Sequence, residues 1–428
     1  MSARRPFAFG AAFLFLSAWG VGFVAAFGPE EIGRVLKRVG LWANGSEPAP
    51  DARTYSVTVW GLEAVDIRRI GRHGRDGPGP SAWRMPPDAA LARLVGWAAV
   101  RALYAFGRDE GQVILDVLDA GAKWQVTVRG VSPTPDPSPG IGETQLAEAI
   151  RRQNRYREEE RRRPPVATLG ADPEFVLLSP EGRVVPASRY FPPGAAVGSD
   201  SLVVNGVRRW ALAELRPMPA REPDALAGRL RRLLAAAHRR VGDAALSWRA
   251  GALPVPGLPL GGHIHLSGVA PTPERLRALD NAVALPLRLL EPPGASRRRP
   301  RYGVLGDFRR KAHGGFEYRT PPSWLVSPAI ACGVLALAKI AAEAPEKIAR
   351  PLDDNRVRDA FYGDGECGGT ERTGLEVLAD AVGEVMRSVR RTEGYVRYER
   401  WILPLLRFID AGRTWDETGD LRRHWRVG

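Results

Sequence analysis

Between residues 166 and 345 one spacing recurs: two polar side chains separated by a single residue. The pairs are Asp172 and Glu174 in G-A-D-P-E-F, Glu214 and Arg216 in A-E-L-R-P, His263 and His265 in G-G-H-I-H, Arg309 and Lys311 in D-F-R-R-K, and Glu317 and Arg319 in F-E-Y-R-T-P-P. On a β-strand, residues i and i+2 project from the same face. The five segments therefore predict one sheet with one charged face. The residues between the paired positions, Pro173, Leu215, Ile264, Arg310 and Tyr318, are mostly apolar and are expected to turn toward a core on the other face.

Each pair alone has a plainer explanation: Glu214 with Arg216, or Glu317 with Arg319, is more often a surface ion pair contributing only about 0–1 kcal/mol, and a lone H-x-H is more often unrelated to a metal. Four carboxylates, two histidines and four cations on one side of one sheet have no such explanation, because gathering like charges opposes folding. They suit chemistry instead. Carboxylate and imidazole are ligands for Mg²⁺ or Mn²⁺, while arginine and lysine are fixed donors for phosphate oxygens. Metal-assisted phosphoryl transfer needs both signs; a zinc hydrolase has little use for so many cations.

Other mechanisms lack their residues. There is no G-x-x-x-x-G-K-[ST] loop, no G-x-S-x-G elbow and no H-E-x-x-H. Gly140 and Gly142 give G-x-G, but Gln145 stands where a dinucleotide fingerprint has its third glycine. Two cysteines, Cys332 and Cys367, exclude a disulfide framework and a Cys-x-x-Cys site. The net charge of +14 permits phosphate, nucleic-acid or anionic-lipid partners without choosing among them.

The elements that must position these residues are legible in outline. With 428 residues, 44% hydrophobic and 26% charged, the chain has the composition of a globular protein of more than one domain. Residues 1–50 hold a hydrophobic segment, a short helical pattern and a turn-rich linker. Residues 51–132 read as a small α+β domain: a strand over 54–63, an amphipathic helix over 86–106 and a hairpin around Ala120 and Gly121. A proline-rich linker and a charged helix fill 133–165. Residues 166–345 carry the paired motifs, with helices starting at Pro223, at Pro273 behind an N-cap Thr272, and at Ser327–Pro328. Residues 346–428 read as helices, roughly 372–392 and 393–410, and the basic stretch Arg297–Arg301 as a loop.

The motifs resemble those of the phage-type COOH·NH2 ligases, amidoligases of the glutamine synthetase-like fold. The resemblance lies in G-A-D-P-E-F at 170–175, A-E-L-R-P at 213–217, G-G-H-I-H at 261–265, Y-G-x-x-G-D-F-R-x-K at 302–311 and E-Y-R-T-P-P-S-W-L at 317–325. It implies an α+β fold, with a curved antiparallel sheet and flanking helices around a funnel for ATP and Mg²⁺ or Mn²⁺, beside the N-terminal α+β domain and the helical C-terminal region. Carried over by position, Glu174 and Glu214 would ligate a metal beside the acceptor site. Asp172, His263 and Glu317 would ligate the metal that bridges ATP phosphates. Arg309 and Arg319, with Lys311 and His265, would hold the nucleotide and the developing acyl phosphate, and Arg216 a substrate carboxylate. Glutamine synthetase has a glutamate where Asp172 stands and a further one shortly before A-E-L-R-P. Here that stretch offers only Asn205, Gly206 and the more distant Asp200.

The resemblance implies ATP-dependent joining of a small-molecule or peptide carboxylate to an amine, with no specific nucleic-acid partner. Two rivals use the same residues: a catalytically silent phosphate or nucleic-acid binder, and a single-metal hydrolase built from His263, His265 and Glu317. The charge-free residues 6–29, behind Arg4 and Arg5, are long enough to span a bilayer and are expected to be an anchor, a signal or no part of the working protein. A site that consumes ATP must face the cytosol, so a cytoplasmic catalytic domain is expected, tethered through this segment or not.

Overall fold

A computed structural model describes residues 29–43, 51–70, 83–84, 90–119, 124–204, 207–242, 245–312, 314–363 and 373–428. Residues 6–28 of the hydrophobic segment, Ala120, Gly121, Asn205, Gly206 and Cys367 lie outside these. Among the described residues no helix is long and apolar enough to cross a membrane. The chain divides into two compact units, Met1–Glu159 and Glu160–Gly428.

The first unit contains α1 (Pro29–Arg38), β1 (Trp42–Ala43), β2 (Arg53–Trp60), β3 (Glu63–Ile70), β4 (Trp83–Arg84), α2 (Ala90–Ala105), β5 (Glu110–Asp119) and β6 (Trp124–Ser132), and leads into α3 (Ile141–Arg162). The sheet order is β1-β6-β5-β2-β3-β4, antiparallel except for the β1–β6 pair. Alternation builds the core: Tyr55, Val57 and Val59 of β2 and Val113, Leu115 and Val117 of β5 are buried, as are Val95, Ala99 and Leu103 of α2. The strand expected over 54–63 is instead a hairpin, turned at Gly61 and Leu62 with φ of 58° and 64°. Leucine has no preference for that conformation, so the turn has no composition signal.

The other face of this sheet is polar yet buried. Thr54 donates to Asp116 at 2.8 Å, and Thr58 donates to Gln112 at 2.8 Å. The proline-rich segment lies across this face. Its Asp136 donates N–H to Gln112 and accepts from Arg68, and the Ser138 N–H donates to Asp66 at 2.8 Å.

The second unit holds β7 (Thr168–Leu178), β8 (Val184–Val185), β9 (Val197–Val204), β10 (Val207–Leu215), α4 (Pro223–Val241), β11 (Ser247–Arg249), β12 (Gly262–Ser267), α5 (Pro273–Leu279), α6 (Leu285–Leu290), β13 (Phe308–Arg310), β14 (Phe316–Tyr318), α7 (Pro328–Glu343), α8 (Asn355–Tyr362), α9 (Gly374–Val389), α10 (Glu393–Asp410) and α11 (Leu421–Trp425). Its strands pair antiparallel in the order β13-β14-β12-β7-β10-β9, with β8 and β11 on the far end of β7. Thr272 and Ser327 cap α5 and α7 through their hydroxyls, satisfying amides that the first helical turn leaves unpaired.

One face of this sheet is apolar. Phe175, Leu177, Ile264, Leu266, Phe316 and Tyr318 are buried there, and Phe175 stacks on Trp248 at 5.1 Å. The nearly all-apolar α7 and the amphipathic α4 pack on the unit's strands. Arg310 departs from this pattern: expected to turn toward the core, it is exposed. The basic stretch Arg297–Arg301, expected as a loop, begins in a short 3-10 turn (Ala295–Arg298) and is partly buried. Arg299 is buried in a two-pronged pair with Glu291, at 2.8 and 2.6 Å.

Candidate functional site

The opposite face of the second sheet carries the five motifs. Antiparallel register places His263 beside Asp172, His265 beside Glu317, Arg309 beside Glu317 and Glu214 beside Glu174. Arg216, Lys311 and Arg319 each follow directly on the end of a strand. Of the ten polar residues singled out by spacing, seven thus lie in one set of neighbouring strands and three directly behind their ends.

Glycines leave room for them. A Cβ on Gly198 would strike the Arg216 guanidinium. One on Gly261 would lie 2.5 Å from Nε2 of His263, and one on Gly170 3.2 Å from Cβ of His265.

Charge is graded across the face. At the β13–β14 end, Glu317 is surrounded by cations: Lys311 pairs with Oε2, Arg309 lies 3.5 Å from the same oxygen, and Nε of Arg319 is 3.1 Å from Oε1. Burial and the Asp172 charge push the Glu317 carboxyl up, but Lys311, His263 and Arg309 outweigh them and hold it below its ordinary value. In the middle, Asp172 receives His265 Nε2 at 2.9 Å on Oδ2, and His263 Nδ1 lies 3.2 Å from Oδ1. Burial raises this carboxyl, and the two histidines more than reverse the shift, leaving it far below the usual range. His263, lowered by burial, is raised further by Asp172 and Glu174, so the net shift is upward.

At the β7–β10 end carboxylates dominate. Glu174 is pushed up to about 7, by burial first and also by Asp200 and Asp172, against His263 and the Gly261 N–H. Glu214 is pushed up to about 9 by burial and the charges of Asp172, Glu174 and Asp200, despite its pairing with Arg216. Arg216 also donates to the Ala195 carbonyl at 3.1 Å. Asp200 stands opposite Leu212, two positions from Glu214's partner Gly198, which puts it on the same face.

These residues fit a divalent cation. Asp172, His263 and Glu317 each offer a ligand atom, all within 4.8 Å of one another. Oδ1 of Asp172 is buried and has His263 Nδ1 3.2 Å away but no aligned hydrogen bond, and a cation would satisfy it. Oxygen donors with one imidazole match Mg²⁺ or Mn²⁺ better than a thiolate-seeking metal.

Spacing missed the groups that hold this face. Arg298 is fully buried and donates to the carbonyls of Thr320 and Leu260, both at 3.3 Å. Ser323 donates to the Glu174 carbonyl at 2.5 Å, and Glu417 reaches the loop before β12. Arg298 lies in a basic run and Ser323 within the segment 317–325, but spacing singles out neither; Glu417 lies in no marked stretch.

A search of curated proteins finds no match to the chain. Among solved structures, a bifunctional glutathione synthetase from Pasteurella multocida matches with 10% identity and a TM-score of 0.37, over 61% of this chain and 51% of that one. The chain thus spans about half of that relative's length. Apo GmaS matches with 13% identity and a TM-score of 0.34, over 89% and 94% of the two chains. Plasmodium falciparum glutamine synthetase matches with 8% identity and a TM-score of 0.32, over 86% and 94%. Likeness at these scores is too weak to argue from. The sequence match is firmer and covers more than half of the chain, all five motifs included: residues 169–427 fit the phage phiEco32-like COOH·NH2 ligase-type 2 model, and the chain belongs to that family.

Proposed function

We propose that the protein is an ATP-dependent carboxylate–amine ligase that forms an amide or peptide bond through an acyl phosphate. The observation that carries this reading is the graded face, where Glu317 among Lys311, Arg309 and Arg319 adjoins the Asp172–His263–Glu317 cluster, with Glu174 and Glu214 beyond. A silent anion binder would use the cations and gain nothing from buried carboxylates beside them. A single-metal hydrolase would use the cluster and leave the cations without a task.

Asp172, His263 and Glu317 would hold Mg²⁺ or Mn²⁺ against the nucleotide, and Glu174 with Glu214 would hold one nearer the acceptor. Bound there, the cation supplies Lewis-acid neutralisation of phosphate charge. Arg309, Lys311 and Arg319 donate to phosphate oxygens and stabilise the charge that develops during transfer. His265 orients Asp172 through Oδ2. Arg216 would hold a substrate carboxylate.

In the reaction, an oxygen of the acid's carboxylate attacks the γ-phosphorus and the bond to ADP breaks. The amine nitrogen then attacks the acyl carbon, the C–O bond to phosphate breaks, and the amine's proton passes to a carboxylate of the face. The test is ADP and phosphate release with panels of acids and amines. Release that requires both substrates supports the ligase, and release indifferent to added carboxylate rejects it.

A further inference from the structure

One loop of the second unit is held from both ends. Arg249 pairs with Val176 and Gly262 with Pro173, both antiparallel to β7, so residues 250–261 interrupt what would otherwise be one strand. The insertion contains Pro254, Pro256 and Pro259, which restrict its backbone. Its last residue locks onto the site: Gly261 donates its N–H to Oε2 of Glu174 at 2.6 Å and accepts the Glu174 N–H at 2.9 Å. Leu260 donates to the Ala252 carbonyl at 3.2 Å and closes the loop on itself. Leu258 and Leu260 also pack with Val176, Leu178 and Leu212.

The first residues of the loop are gripped from the far end of the chain. Glu417, 8% exposed, accepts the N–H groups of Ala252 and Leu253, the latter at 3.1 Å, and the Trp415 indole N–H at 2.9 Å. Trp415 is itself fixed, its N–H donating to the Leu290 carbonyl at 2.9 Å. Gly251, at φ 129°, passes so close that a Cβ would strike the Glu417 carboxylate. Taking a carboxylate out of water is costly, and three donors spent on one side chain fix a geometry that apolar packing would leave adjustable.

We propose that Glu417 is a positioning residue: by holding the amides of Ala252 and Leu253 it fixes the loop that presents the Gly261 N–H to Glu174, so the C-terminal segment sets the geometry of the Glu174–Glu214 carboxylate pair. The consequence for cation binding rests on the ligase reading; the mechanical link does not. Partners of metal ligands commonly control affinity about 10- to 100-fold, and Glu417 acts one step further out.

The test uses the full chain with Glu417→Ala, Glu417→Gln, and, as a control, Ser388→Ala, which loses the α9 hydroxyl that accepts the Ala349 N–H. Amide hydrogen exchange over residues 252–263 and Mn²⁺ affinity are measured in each. In Glu417→Ala the loop is expected to exchange at least about 10-fold faster and Mn²⁺ to bind about 10-fold more weakly. Glu417→Gln, which keeps one acceptor oxygen, should fall between it and the wild type, and Ser388→Ala should change neither. Faster exchange spread evenly over residues 160–428, or a loosened loop with unaltered Mn²⁺ affinity, would overturn the proposal by making Glu417 a stabiliser only. A wild-type protein that takes up no Mn²⁺ would count against the ligase reading, and exchange at Gly261 would then decide for or against Glu417.

Discussion

Both sheets bury polar side chains on one face, yet only one of these faces has the character of a site. In the N-terminal sheet the polar groups answer one another: buried Asp116 faces Thr54 and the half-buried Arg129, half-buried Arg68 faces the exposed Asp136, and buried Gln112 joins Thr58, Ser56 and the Asp136 amide. In the C-terminal sheet charge is sorted instead, with cations around Glu317 and a surplus of carboxylates around Glu174 and Glu214. Buried polarity alone therefore does not mark function. Imbalance of sign does, because a fold selected for stability pairs its buried charges.

That contrast breaks most readily at the second sheet. Glu317→Gln and Glu174→Gln preserve shape and remove charge, and each is expected to lower turnover at least about 100-fold, more than loss of a ligand's outer partner usually costs. Circular dichroism should show the fold retained. Turnover near that of the wild type in both would reduce them to ion-pair partners.

A smaller effect is expected from Gly261→Ala, which pushes a methyl group toward the His263 ring. Overpacking of this kind costs about 1–3 kcal/mol, to be read as lower thermal stability, and cation affinity should fall with it. Gln112→Leu sharpens the comparison from the other side. It strands the donors and acceptors of Thr58, Ser56 and Asp136 and should also cost about 1–3 kcal/mol. Calorimetry should nevertheless find its Mg²⁺ and Mn²⁺ binding unaltered.

The least effect is expected from Arg397→Ala, which removes an exposed pair with Glu222. A stability change under about 1 kcal/mol is expected in chemical denaturation. A larger one would mean that exposed pairs count for more in this unit than its buried face suggests.

Much of the site was legible because strands have a period of two: Asp172 with Glu174 and His263 with His265 had to share a face once each segment was a strand. The helix starts at Thr272 and Ser327 were legible because capping is local chemistry. What escaped was long-range or conformationally unmarked. Glu417 acts on Ala252 and Leu253 across most of the unit, and Arg298 on Thr320 and Leu260 through its guanidinium. No local pattern announces such contacts. The turn at Gly61–Leu62 places a leucine at positive φ, and the exposure of Arg310 follows from how the short β13 lies at the edge of the sheet.

The central claim is that the charged face holds nucleotide through a divalent cation, and calorimetric titration of ATP into the full chain, with Mg²⁺ or Mn²⁺ and with chelator, tests it most directly. Binding that requires the metal and is lost in Glu317→Gln is the expected result. Binding of equal strength without metal would contradict the claim.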